Sequence, residues 1–172
     1  TTASNNTAVG YSALIRNTTG NQNVAVGASA LDSATTGDNN VAVGYVSLGA
    51  VTTGDNNVAM GTAALQNQTT ADNNTAVGHL SLQQSTTGLS NTAVGAYALN
   101  HLIAAADNVA VGFEALTTET GGQNNVAIGP RALRLQVNSS GNIFNTAVGS
   151  NAGTAVTTGI QNTFVGGLAG DA

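Results

Sequence analysis

The stretch Asn6-Thr7-Ala8-Val9-Gly10-Tyr11-Ser12-Ala13-Leu14 decides the fold, because the chain repeats it to its end. The glycine that closes the first half recurs as Gly10, Gly27, Gly44, Gly61, Gly78, Gly95, Gly112, Gly129, Gly149 and Gly166. The first eight are 17 residues apart, the next step is 20, and the last is 17 again. A fixed period in this range is the mark of a repeat architecture, in which stacked units bury a continuous core. Such a chain is built as a scaffold, fibre or extended surface rather than around one catalytic pocket.

Each coil opens with Asn: Asn6, Asn23, Asn40, Asn57, Asn74, Asn91, Asn108, Asn125, Asn145 and Asn162. Thr or Val follows, both β-branched and strand-favouring. Next comes Ala, replaced only by Phe164, and then Val, Met60 or Ile128. Three residues after Gly stands Ala or Ser, and one further on Leu, from Leu14 to Leu133, giving way to Gly153 and Gly170. The spacing predicts two short strands per coil, Thr7-Ala8-Val9 and a second around Ser12-Ala13-Leu14, with a bend at Gly10. Asn17-Thr18-Thr19-Gly20-Asn21 is turn chemistry that closes the coil. Apolar residues keep no 3.6 period, so helix is not expected. The fold class is therefore all-β, a parallel β-roll or β-solenoid of about ten 17-residue coils. Residues 1–172 form one repetitive segment, with a 20-residue coil carrying an insertion near 134–145 and altered coils over 146–172. The abrupt beginning and end read as a piece of a longer fibre.

Residues one period apart are expected to stack in register, with Val9, Val26, Val43 and Met60 in one interior column. The ten asparagines then form a structural amide ladder, as in cross-β stacks. Alternation places Ala8 on the face opposite Thr7 and Val9. That Ala position stays small and apolar, so the strand reads as covered on both faces. One reading covers the Ala face with a neighbouring rod, most simply around a threefold axis. The other lets Ala fit a tight interior.

Composition excludes several functions. Only 6% of residues are charged and 3% aromatic; Lys and Cys are absent, and the net charge is −5. Arg16, Arg131 and Arg134 make no basic face, so no nucleic-acid partner is expected. No apolar run is long enough for a transmembrane helix, so no membrane partner is expected, and without Cys there are no disulfides.

No enzyme activity and no cofactor are expected. His79 and His101 occupy different phases of the coil, without a nucleophile–base–acid spacing. Asp38, Asp55 and Asp72 are in phase on consecutive coils, but the pattern of calcium-binding β-rolls is missing. They read as solvated turn acids, and no metal site is assigned. Tyr11, Tyr45, His79 and Phe113 follow Gly in alternate coils, with Ala28, Thr62, Ala96 and Pro130 between them. This ring row is a candidate surface for stacking on sugars, or else a large–small packing device. Thr pairs such as Thr18-Thr19 and Thr52-Thr53 are also in phase, and adjacent residues of a strand cannot share one flat plane. Val137-Asn138-Ser139-Ser140-Gly141 is expected to protrude as a loop beside Arg131 and Arg134.

Asn39-Asn40-Val41-Ala42-Val43-Gly44 and Asn124-Asn125-Val126-Ala127-Ile128-Gly129 resemble the repeats of trimeric autotransporter adhesin heads. Asn6 to Leu14 is still more similar to the Asn-Thr-Ala-Val-Gly-Tyr-x-Ala-Leu repeats of phage and bacterial tail-fibre-like proteins. The resemblance covers essentially the whole chain. It implies a left-handed parallel β-roll, a homotrimer, and an extracellular, cell-surface or virion location. The period is longer than that of adhesin heads, so their collagen binding is not carried over. The expected function is a structural and adhesive fibre segment: a rigid spacer whose partners are further copies of itself, as trimer or polymer, and cell-surface glycans. The alternatives are a monomeric solenoid that binds ice or another repeating surface, and a self-assembling extracellular filament.

Overall fold

The computed structural model describes residues 2–171. Ten three-residue strands form one parallel sheet in sequence order. They are β1 (Thr7–Val9), β2 (Val24–Val26), β3 (Val41–Val43), β4 (Val58–Met60), β5 (Thr75–Val77), β6 (Thr92–Val94), β7 (Val109–Val111), β8 (Val126–Ile128), β9 (Thr146–Val148) and β10 (Thr163–Val165). Equivalent residues pair directly: Ala8 with Ala25, Ala25 with Ala42, and, across the longer coil, Ala127 with Ala147. The chain is thus an all-β solenoid with a 17-residue coil, and no helix occurs among the described residues. At a strand spacing of about 4.8 Å, ten coils make a rod roughly 48 Å long.

The orientation of the strands differs from the expectation. Ala25, Ala42, Ala59, Ala76, Ala93, Ala110, Ala127 and Ala147 are fully buried. The residues on either side of them point outward. Val9, Val26, Val43 and Met60 do stack, but as an outer column, with Val26 and Val43 half-buried and Met60 44% exposed. The cause is volume. Leu31, Leu48, Leu65, Leu82, Leu99, Leu116 and Leu133 fill the coil from the opposite wall at zero exposure, which leaves room for only a methyl group on the strand. Of the two readings of the Ala position, the tight interior is the one observed. It replaces the contact between rods at Ala42 and Ala76.

The second strand does not form. Ser12 and Leu14 have φ of 57° and 52°, and the same pair of positive values recurs at Ser29 and Leu31 and at Val46 and Leu48. Extended backbone cannot take these values. The reason is visible in the side chains: Ala30 and Leu31 are neighbours in sequence and both are fully buried. A strand would send one of them outward. Left-handed residues cost about 1–2 kcal/mol each, and here a ladder between coils holds them. Ser29 N–H donates back to Tyr11 C=O at 2.8 Å, and Leu31 N–H donates forward to Ser47 C=O at 3.1 Å.

The corner glycine is required twice over. Gly44 has φ of 137°, and a Cβ built there would lie 2.5 Å from Gly61 C=O. Near the C-terminal end the packing is rebalanced. Phe164 points inward where other coils carry Ala, and a Cβ on Gly153 or Gly170 would strike its ring. One large ring therefore replaces the Leu side chains that Gly153 and Gly170 omit.

Candidate functional site

Six columns of side chains run along the rod, and several of them are tied together by hydrogen bonds. The asparagines form the first. Each Oδ1 accepts the backbone N–H of the Asn one coil later: Asn23 N–H to Asn6 at 2.8 Å, Asn57 to Asn40 at 3.0 Å, Asn91 to Asn74 at 2.9 Å. From Asn6 to Asn108, and again at Asn145, Nδ2 donates to the carbonyl that closes the same coil, as from Asn40 to Gly54 at 2.7 Å and from Asn74 to Gly88 at 2.6 Å, whereas Nδ2 of Asn125 and of Asn162 donates back to the preceding Asn. Asn108, Asn125, Asn145 and Asn162 continue the column, and the bond across the inserted residues, from Asn145 N–H to Asn125, is 3.3 Å. From Asn23 to Asn145 these side chains are fully buried. They bond every coil to the next, and the buried amides from Asn23 to Asn145 have both their ends paired.

The acids are used in the same way. Asp38, Asp55 and Asp72 each accept a backbone N–H from the coil before, at 2.6, 2.7 and 2.8 Å. Among the described residues, no group of three or more His, Asp or Glu side chains could hold a metal ion. The first Thr of each pair donates its hydroxyl to the next coil, as from Thr18 to Thr35 C=O at 2.9 Å and from Thr35 to Thr52 C=O at 3.1 Å. The second Thr is exposed.

One interior column varies from coil to coil: Asn17, Ala34, Val51, Gln68, Ser85, Leu102, Glu119, Gln136. Glu119 is fully buried and faces no cation. Its Oε1 accepts the backbone N–H groups of Thr120, Gly121, Gly122 and Asn138 at 2.8–3.2 Å. Its Oε2 accepts Gln136 Nε2 at 2.7 Å, and Gln136 Oε1 in turn accepts Asn145 Nδ2, also at 2.7 Å. This cage fixes the root of the insertion. Val137 and residues 139–142 are exposed, while Ile143 tucks back into the rod at 4% exposure. Sequence reading missed Glu119 because its column keeps no residue type. The available signal was the pairing of Glu119 with Gln136 one period on, beside Gly121-Gly122.

The ring row divides into two parts. In coils five to eight the rings are engaged. Tyr97, one position beyond the row, sits between His79 and Phe113 with both rings edge-to-face, at 5.5 and 6.2 Å between centroids. The Arg131 guanidinium lies 5.6 Å over Phe113. Glu114 carboxylate bonds Arg131 at 3.1 Å and Arg134 at 2.9 Å, so both arginines are paired rather than directed at the loop. In coils one and three, Tyr11 and Tyr45 stand free at 83% and 61% exposure. His101 lies elsewhere, with Nδ1 2.9 Å from Thr117 C=O. No pocket opens among the described residues. No family model, curated protein or solved structure matches the chain.

The sixth column is the outer face of the sheet, which sequence reading had turned inward. Its two rows run Val24, Val41, Val58, Thr75, Thr92, Val109, Val126 and Val26, Val43, Met60, Val77, Val94, Val111, Ile128. Neither row contains a charged residue. The result is an uncharged strip of Val, Thr, Met60 and Ile128, half-buried to exposed, along the rod.

Proposed function

We propose that the chain is the shaft or head of a homotrimeric fibre on a cell surface or virion, and that its work is mechanical. It is a stiff spacer that holds whatever adjoins it at a fixed distance. The uncharged outer strip is the observation that carries this reading. A strand face left in water drifts towards charged residues, which also block unwanted association. An uncharged, largely apolar strip of this length marks an association site. The strip measures about 48 by 10 Å, roughly 480 Å² of flat area. A specific interface needs about 800 Å² per partner. The strip alone falls short of that, and a threefold arrangement adds the two shoulders of each rod, because every copy then touches two neighbours. The direct support for stiffness is the continuous hydrogen-bond ladder between coils, which bending would have to break.

The test is a pair of substitutions on the outer face, Val43→Arg with Val77→Arg. The expected result is a folded chain, with an unchanged far-ultraviolet spectrum, that sediments as a monomer. A folded double variant that still sediments as a trimer overturns the interface.

A second reading gains from the same outward strip. A regular, flat, exposed plane of Thr and Val is what binding to ice or another repeating surface requires. Met60 and Ile128 interrupt its regularity, which favours packing against a complementary copy. Thermal hysteresis that disappears with Thr75→Tyr and Thr92→Tyr would establish the second reading in place of the first.

A further inference from the structure

We propose that Tyr11, Tyr45 and His79 form a stacking track for a neutral, extended β-1,4-linked hexopyranose chain lying along the rod. The inference goes beyond the spacer reading, and depends on it only in requiring that the track remain in solvent.

Exposure is the first observation. A ring that packs on the small residue of the next coil loses most of its accessible surface. Tyr45 lies within the stack, flanked by coils that carry Ala28 and Thr62 at its position, yet it keeps 61% of its surface. Tyr11 keeps 83%. Neither has an aromatic or cationic partner among the described residues, whereas His79, Tyr97, Phe113 and Arg131 close on one another. Packing accounts for Tyr97, Phe113 and Arg131 and not for Tyr45, while His79 meets Tyr97 and still remains exposed. His79 ends the open part of the row and begins the closed part.

Spacing is the second observation. Rings recur every second coil, about 9.6 Å apart at the strand spacing. An extended β-1,4-linked chain is a twofold ribbon: each sugar advances by nearly one strand spacing, and every second sugar presents the same face. A ribbon laid along the track therefore sets equivalent sugar faces over successive rings. The C–H groups of a pyranose face meet the negative face of an aromatic ring, as in other stacking on π systems. Ala28 and Thr62 leave room for the sugars between. An α-1,4-linked chain coils and cannot keep this register.

Charge restricts the class further. The chain has no Lys and a net charge of −5, and two of its three arginines are tied to Glu114. A polyanionic glycan finds no compensation here, so the ligand is neutral.

The experiment is calorimetric titration of the intact chain with cellohexaose and with chitohexaose, using maltohexaose and cellobiose as controls. At least one β-1,4 hexaose should bind, and the one that does identifies the sugar. Maltohexaose and cellobiose should bind at least about tenfold more weakly, and Tyr45→Ala should weaken the hexaose about tenfold, equivalent to about 1.4 kcal/mol. Tyr45→Phe should restore binding, because stacking needs the ring and not the hydroxyl. Absence of binding by both hexaoses at millimolar concentration overturns the track. So does equal binding of maltohexaose, or Tyr45→Ala binding like the parent. Sedimentation of the same Tyr45→Ala protein separates this from the fibre reading. An unchanged assembly with no sugar binding defeats the track alone, whereas loss of assembly moves the ring into an interface and defeats it as well.

Discussion

Replacing Asn74 by Ala removes one rung of the ladder at mid-rod. Asn74 is fully buried, and its Oδ1 is the acceptor for Asn91 N–H at 2.9 Å. Its Nδ2 is the donor to Gly88 C=O at 2.6 Å. Truncation leaves a buried N–H and a buried carbonyl without partners. Each such orphan costs about 1–3 kcal/mol, so the loss is about 2–6 kcal/mol. Small domains have only about 5–15 kcal/mol in total, so the urea midpoint should fall steeply. Asn74→Asp has the same shape but sets an acceptor against Gly88 C=O and buries an unpaired charge, so it should be at least as damaging. The control is Asn162→Ala. Asn162 ends the ladder: its N–H and Nδ2 both donate back to Asn145, and no Asn follows to use its Oδ1. Its loss should stay below about 1 kcal/mol. Urea unfolding followed by circular dichroism gives the stabilities, and amide exchange at Asn91 reports the rung itself. If Asn74→Ala stays within about 0.5 kcal/mol of the parent, the range of an inert surface change, the ladder does not hold the coils together.

Other consequences can be measured with the same tools. Ala42→Asp should abolish folding by placing a charge in the core, while Val43→Asp, on the outer face, should leave the single chain folded and act on assembly. Gly44→Ala should destabilise by several kcal/mol, because a Cβ meets Gly61 C=O at 2.5 Å in backbone with φ of 137°. Glu119→Ala should free the N–H groups of Thr120, Gly122 and Asn138, seen as faster amide exchange confined to the insertion and its neighbours, while Gly121 N–H keeps Asn138 C=O at 2.8 Å. Gly153→Leu and Phe164→Ala should each destabilise the C-terminal coils, and the double variant should recover much of the loss, read as coupling in a double-mutant cycle.

The period, the parallel register and the absence of helix were legible in the sequence, because a 17-residue repeat of Asn, Gly and Leu can be satisfied only by stacking each residue on its counterpart. The inside and outside of the strand were not. A three-residue strand alternates once, and the hydrophobicity of Val9 or Val43 argues for burial while only the width of the coil argues for Ala42. That width is set by Leu48 and its equivalents across the core, and sequence alone does not supply it. The adjacent pair Ala30-Leu31 did carry the signal against a second strand, since two neighbouring core residues break the alternation of extended chain. Tyr97 and Glu119 were hidden for a different reason. Each is the only residue of its kind in its column, and a repeat pattern shows what recurs rather than what departs from it. Phe164 and the glycines at 153 and 170 were visible as separate departures, and their shared volume became apparent only with the ring in place.

Sedimentation equilibrium of the unmodified chain over a range of concentrations tests the fibre reading most directly. The expected mass is three times that of the 16.8 kDa chain, held as the protein is diluted. A soluble protein with the mass of a single chain at every concentration would contradict it, because the outer strip would then be facing water.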